Sequence, residues 1–317
     1  MLVHARFLRH DVKTTRAVDR PGDSVCDAHA VSSEREPQHL SGALRRWAQP
    51  VRYWTSVGLF RGAELVNGGG AHPRRTFFEP AEFPWVATLE AKWLVIRGEV
   101  DRLMRRMDLI PRYQNIQVEA QAITNDARWK TFILYGYGER SAENCRRCPE
   151  TDRLLRGIPG MTSAMFSILR GPKHIPAHRG PYNGVLRYHL GLRVPGECRI
   201  RVGDDVRPWQ EGKSLVFDDT NMHEAWLDVP GDRVVLFVDF LRPSGRAVRA
   251  MNQLMVQWIR RSEFIQGAVQ RLDRFERERG HILDDALARP SEPSSNEPAY
   301  ARPDWLKWRK QEDGRVK

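Results

Sequence analysis

Two histidines, His178 and His223, stand in surroundings suited to gripping one metal ion. His178 lies in Pro-Ala-His-Arg-Gly-Pro, at a bend ahead of the strand-like run Leu186–Val194. His223 lies in Phe-Asp-Asp-Thr-Asn-Met-His-Glu-Ala-Trp, between the end of one apolar run and the start of the next. Neutral imidazole suits iron, and two histidines offered from neighbouring strand edges leave coordination positions open for exchangeable ligands. Groups suited to an organic anion stand beside them. Arg187 and His189 are two residues apart on one run, so they share a face while Tyr188 takes the other. Arg233 opens the run Arg233–Phe240, and a guanidinium can hold a carboxylate through two parallel hydrogen bonds. A buried arginine needs such an anion, because an unpaired charge in an apolar interior is very costly. The same residues could equally be satisfied core or surface groups. Spacing alone does not separate the two readings.

The common facial triad of iron oxygenases adds a carboxylate to two histidines, two residues after the first. That position is Gly180 here. Its loss would weaken metal binding or open a further ligand position. Asp219 is the candidate to act on the metal from a second layer, through a water, and Asp218 is equally suited to a turn.

The elements that must position these groups can be read from periodicity. Leu89, Trp93, Ile96, Val100, Leu103 and Met107 recur at steps of four and three, which predicts one helix ending before Pro111. Trp129-Lys-Thr-Phe-Ile-Leu-Tyr reads as a strand, and a short helix is expected over Cys148–Arg156 with Pro149 at its start. Short apolar runs then follow at Ala164–Leu169, Leu186–Val194, Cys198–Val202, Ser214–Phe217, Glu224–Val229 and Arg233–Phe240. Turn signals separate them, Gly171-Pro172 and Pro230-Gly231 among these. Such a series predicts a sandwich, jelly roll or barrel. No βαβ alternation or phosphate-loop glycine pattern is present, which speaks against a dinucleotide or NTP enzyme. After Pro243 the periodicity turns helical, through Met251, Leu254, Met255, Trp258 and Ile259, then Phe264, Ile265, Val269 and Leu272. The expected organisation is a basic N-terminal arm over 1–75, with a Gly68-Gly69-Gly70 linker and Trp47, Trp54 and Phe60 as packing candidates. A main domain over 76–243, a helical extension over 244–289 and a flexible tail over 290–317 follow.

The 317 residues carry 51 basic and 40 acidic side chains, a formal net charge of +11. That surplus favours anionic partners without choosing among them. No aromatic-and-basic nucleic-acid signature accompanies it, so nucleic acid is not the expected partner. No apolar stretch reaches the roughly 18 residues of a membrane span, and the N-terminus has no secretory core. A cytoplasmic protein is the expectation, and nothing points to an oligomeric state. Of Cys26, Cys145, Cys148 and Cys198, the second and third form a lone CxxC. A zinc site needs two more ligands at partner spacing, so the pair is expected to be structural or incidental.

Several blocks in order carry a resemblance: HRGPYNGVLRYHLGL at 178–192, FDDTNMHEAW at 217–226, Trp209-Gln-Glu-Gly212, and Arg233 followed by VVLFVDF and Pro243. WKTFILYGYGER, ENCRRCPETDRLL and FSIL extend it upstream. Residues 129–240 closely resemble the catalytic domain of the aspartyl/asparaginyl β-hydroxylase family, starting weakly near Phe83-Pro84-Trp85. The resemblance implies a mainly β, double-stranded β-helix (jelly-roll, cupin-like) core with flanking helices. It implies iron(II) on His178 and His223, with 2-oxoglutarate and O2 as co-substrates. Arg233 and Ser167 would hold the chain carboxylate of 2-oxoglutarate, the stretch Arg187, Tyr188 and His189 its keto-acid end, and Trp129 would line the site. Glycine at 180 is what the family carries there, and Asp219 is a catalytic candidate. The implied reaction is hydroxylation of an unactivated C–H bond, at the β-carbon of an aspartyl or asparaginyl residue in a peptide or protein. An acyl chain of a lipid A-type molecule is the alternative substrate, since +11 would favour an anionic membrane surface. The related lipid branch tends to carry aspartate in place of Gly180 and an N-terminal anchor. A jelly-roll binding protein without turnover is the rival class, and the retention of both histidines with Arg187, His189 and Arg233 argues against it.

Overall fold

The apolar runs after Trp129 pair as antiparallel sheet in a computed structural model that describes residues 75–288 apart from 118, 119 and 122, together with Gly62, Val66 and Asn67. The remaining positions of the expected arm, with its linker and aromatic residues, and the expected tail lie outside the described residues. Among the described residues the strands are β1 (Phe77–Phe78), β2 (Trp129–Gly136), β3 (Glu139–Arg140), β4 (Met161–His178), β5 (Val185–Arg193), β6 (Cys198–Val202), β7 (Asp205–Pro208), β8 (Ser214–Phe217) and β9 (His223–Leu241). The helices are α1 (Pro84–Ala91), α2 (Trp93–Met104), α3 (Tyr113–Ile116), α4 (Ala142–Arg147), α5 (Pro149–Leu155), α6 (Arg246–Arg260) and α7 (Glu263–Ala288). None of them is long and apolar enough to cross a membrane.

Two long strands make the architecture. One half of β4 and one half of β9 lie in a sheet of order β1-β8-β5-β9-β4-β2-β3. Their other halves pair with each other around His178 and His223, and β9 there also pairs with β6, which pairs with β7. Two strands crossing from one layer to the other form a double-stranded β-helix, a jelly roll of the cupin kind. Two breaks read from the sequence are therefore not turns. Gly171-Pro172 and Pro230-Gly231 lie inside β4 and β9, where Gly171 faces Gly231 and the register then shifts. A side chain at Gly171 would collide with the Val229 carbonyl and the Leu227 side chain, and Gly231 sits at φ +124°. Glycine here lets paired strands bend together rather than end.

The helix read through Leu89 to Met107 is two helices. Its periodic face is buried at Leu89, Ile96, Val100 and Leu103, but Lys92 leaves helical geometry and its amide bonds the Leu89 carbonyl in a tighter turn. Met107 falls in a separate 3-10 turn. On the large sheet, side-chain alternation sorts two interiors. Leu186, Tyr188, Leu190, Phe166, Leu236 and Val238 face α1, α2 and α5 in one apolar cluster. The other face turns toward the small sheet, where Trp129, Leu169, Phe217 and Phe237 meet Ile175, Cys198, Ile200 and Leu227. The site lies on that second face. Cys145 and Cys148 are free, buried thiols in the first cluster.

Candidate active site

His178 closes β4 and His223 opens β9, and the two are direct cross-strand partners with ring centroids 4.1 Å apart. Each ring is held from one side. His178 Nδ1 donates to the Pro176 carbonyl at 2.8 Å, and His223 Nδ1 donates to the Asn221 carbonyl at 3.0 Å. A carbonyl can only accept, so the proton sits on Nδ1 and both Nε2 atoms keep their lone pairs. Burial lowers the pKa of His178, and burial, then His178 and Arg187, push that of His223 down to about 3. Both rings are therefore neutral, the form that ligates a metal.

The place of a triad carboxylate is filled from elsewhere in the chain. A Cβ at Gly180 would fall inside the carboxylate of Asp219, and the Gly180 amide donates to the Asp219 carbonyl at 2.8 Å. Asp219 is buried, its Oδ1 has no hydrogen-bond partner, and burial raises its pKa. Its other oxygen, Oδ2, lies 2.9 Å from Arg187 Nη2. Among the described residues no group of three or more His, Cys, Asp or Glu is placed to hold a metal; what the site presents is two neutral imidazoles with the Asp219 carboxylate behind Gly180. Asp218 is a turn residue, accepting from the Thr220 amide at 3.0 Å and pairing with Arg242.

Deeper in the same chamber Arg233 is 2% exposed. No carboxylate among the described residues pairs with it, and its Nε has no hydrogen-bond partner. The guanidinium carbon lies 4.6 Å from the centre of the Trp209 ring, and burial pushes its pKa down to about 10. A charge left this way is costly unless an anion joins it. His189 stacks on Trp209 with centroids 5.9 Å apart, and neither of its ring nitrogens has a partner. Trp129 donates from Nε1 to Ser167 Oγ at 3.1 Å, and register puts Ser167 on the Arg233 face of the sheet. Trp209, with His189 and Arg233 against it, thus gathers unpartnered buried polar atoms, as a site built for a polar ligand would.

Of the residues expected at the keto-acid end, Tyr188 lies away from the chamber and Arg187 faces it already paired. Tyr188 points to the opposite face, as alternation requires. It is fully buried, accepts from Ser214 Oγ at 3.0 Å and packs edge-on against Trp85. Arg187 does face the chamber, but Asp239 takes its Nε at 2.9 Å and Nη2 at 3.2 Å, while Asp219 takes Nη2 from the other side. Its charge is already answered by two carboxylates. Sequence reasoning missed Asp239 as well as Trp209, Phe217 and Phe237 as chamber walls. Trp209 was visible as part of a family block; Asp239 is found only through its pairing opposite Arg187 on β5. Tyr137 was missed too. It holds φ 49° in the turn after β2, and burial with Asp239 nearby raises its pKa. A non-glycine side chain in the left-handed region is uncommon and carries a cost in free energy.

Fold and chamber together define a double-stranded β-helix protein with a two-histidine site and a buried anion-seeking arginine. A family model described as Aspartyl/Asparaginyl beta-hydroxylase matches residues 90–243. The ornithine lipid ester-linked acyl 2-hydroxylase of Rhizobium tropici is 43% identical over 219 residues, covering 68% of this chain and 75% of that one. The aspartyl/asparaginyl beta-hydroxylase of Homo sapiens is 33% identical over 223 residues, covering 65% of this chain and 28% of that one. A cupin domain of an XRE family transcriptional regulator from Enterobacter cloacae aligns over 37% of this chain and 99% of that one, at 10% identity and a TM-score of 0.26. The chain belongs to the aspartyl/asparaginyl β-hydroxylase family. It spans three quarters of the bacterial lipid hydroxylase but little more than a quarter of the human relative.

Proposed function

We propose that this protein is an iron(II)- and 2-oxoglutarate-dependent hydroxylase whose substrate is an acyl chain of a polar lipid. The observation that carries the co-substrate is Arg233, a buried guanidinium with no carboxylate partner among the described residues, on the sheet face that also carries His189 and Ser167. The donor set fits iron: His178 and His223 would hold it, and Asp219 would orient a water bound to it. When bound, the metal with 2-oxoglutarate and O2 supplies oxidative decarboxylation to succinate and CO2 coupled to hydroxylation of a C–H bond. The chain's own part is placement. Arg233 receives the far carboxylate in a fork, the Ser167 hydroxyl, held by Trp129, stands on the same face, and His189 offers the single N–H of its neutral ring to the bound anion. The apolar walls Trp209, Phe217 and Phe237 keep water out.

The choice of an acyl chain over an aspartyl side chain rests on the relatives: the lipid hydroxylase is matched at 43% identity over 75% of its length, the human aspartyl/asparaginyl hydroxylase at 33% over 28%. Mass spectrometry of lipid extracts and aspartyl peptides incubated with Fe(II), 2-oxoglutarate and O2 tests it. A +16 lipid product with matching succinate is expected. A +16 peptide product alone would replace the acyl reading, and no succinate with either would favour a binding protein.

A further inference from the structure

From Arg242 to Ser262 the chain has five arginines and no acidic residue. Arg242 pairs with Asp218 and Arg260 with Glu139. Among the described residues no carboxylate pairs with Arg246, Arg249 or Arg261. Helical spacing gathers these three on the solvent side of α6. Arg246 leads a ridge that runs in steps of four through Ala250 to Leu254 and Trp258. Arg249 leads the next, through Gln253 and Gln257 to Arg261. All eight side chains are exposed, Leu254 by 72% and Trp258 by 42%. The opposite face buries Met255 and Val256 against Tyr182 and Leu241.

That buried face ties the helix to the mouth of the site. Tyr182, in the loop that follows His178, donates its hydroxyl to Asn252 Oδ1 at 2.6 Å. Arg242 donates from Nε to the Asn183 carbonyl of the same loop at 2.7 Å. Whatever seats on the outer face of α6 is therefore held beside the loop that carries His178.

We propose that the outer face of α6 docks on an anionic lipid surface. A helix with large apolar side chains flanked by arginines lies in the plane of a membrane interface, its apolar groups among the acyl chains and its cations at headgroup level. The arrangement here is of that kind: Leu254 and Trp258 stand between Arg246 and Arg249 at one end and Arg261 at the other, with uncharged residues between. Leu254, 72% exposed, gives this basic face an apolar group that can enter the acyl region, and the arginines set the sign of its partner.

The test is co-flotation of the full-length protein with phosphatidylcholine vesicles and with vesicles containing phosphatidylglycerol. Partitioning is measured without turnover, so its outcome is separate from that of the lipid-product assay. The expected result is binding to the anionic vesicles only, weakening with salt. Each arginine near such a surface is worth roughly a fivefold gain, so the triple substitution Arg246→Gln, Arg249→Gln, Arg261→Gln should lose about a hundredfold. Leu254→Glu should lose about tenfold or more. The corresponding triple exchange to lysine, which keeps the charge, should bind nearly as the parent does. Melting temperatures of all variants should match the parent, because every altered side chain is exposed. Absent vesicle binding, equal binding to both vesicle types, or unchanged binding by the glutamine and glutamate variants would overturn the proposal; the last outcome would assign lipid binding to another basic region.

Discussion

The two faces of the large sheet are made by the same strands and behave as different materials. On β5, Leu186, Tyr188 and Leu190 enter a dry cluster roofed by helices, while Arg187 and His189 enter the chamber. On β9, Val234, Leu236 and Val238 share the dry side, and Arg233, Val235, Phe237 and Asp239 the other. A period of two places one set in each environment without any extra element. The dry face has nearly all its polar atoms satisfied. The chamber face keeps buried polar atoms without partners, at a cost in stability that a ligand would recover. Function is thus concentrated where the fold is least satisfied.

That contrast can be broken from either side. The largest effect on chemistry should come from His178→Ala, which removes one of two imidazole ligands; iron-dependent succinate formation should fall by more than about a hundredfold with the melting temperature nearly kept. Retained turnover would remove His178 from the metal site. On the dry face, Phe166→Ala should cost about 3–5 kcal/mol in urea unfolding, with turnover per folded molecule unchanged. Loss of activity beyond the loss of folded protein would mean the faces are not separable.

Smaller changes sharpen the comparison. Arg233→Lys keeps the charge and loses the fork, so 2-oxoglutarate affinity should drop by about tenfold or more while Co(II) affinity, read from its visible absorption, stays constant. Equal losses of both would contradict a role confined to the co-substrate. Acid should find the chamber before the dry face. His178, His189 and His223 have folded pKa values below the ordinary 6.5, His223 at about 3, so the unfolded chain binds more protons below that pH. Stability contributed by the neutral rings is complete above about pH 6.5 and is lost as pH falls toward the folded values, at up to about 1.4 kcal/mol per pH unit for each fully buried ring. Asp219, raised to about 6 by burial, acts in the opposite sense over part of that window. The urea midpoint should therefore fall between pH 7 and 5, above the range of ordinary carboxylates; a flat profile would deny that the rings are buried neutral. Smallest of all, Tyr188→Phe should cost about 1 kcal/mol through its bond with Ser214 and leave 2-oxoglutarate affinity untouched. A raised KM for 2-oxoglutarate would return Tyr188 to the site.

The strand runs, the helical stretches and the site histidines were legible because each is a local pattern: alternation, a period near 3.6, or a block of residues around a ligand. Arg233 stood out as a charge beside an apolar run, but its spacing alone left its role open, and only its burial without a carboxylate partner among the described residues sets it apart. What could not be read locally depended on pairing. Glycine-proline signals look the same at a turn and at a bend shared by two paired strands, so β4 and β9 were divided in the sequence reading. The surroundings of Arg187 and Tyr188 followed from partners far along the chain: Asp239, which register places opposite Arg187, and Ser214, two residues from the position opposite Tyr188.

Residue types and their order determined that this chain would form a β-rich core holding His178, His223 and Arg233, because those preferences act over a few residues. Tertiary structure decided that the carboxylate missing at Gly180 returns as Asp219 from another loop. It also decided that Arg187 is neutralised before any substrate arrives. Both outcomes rest on contacts between segments some thirty to fifty residues apart, which strand pairing and the loop before β9 bring together.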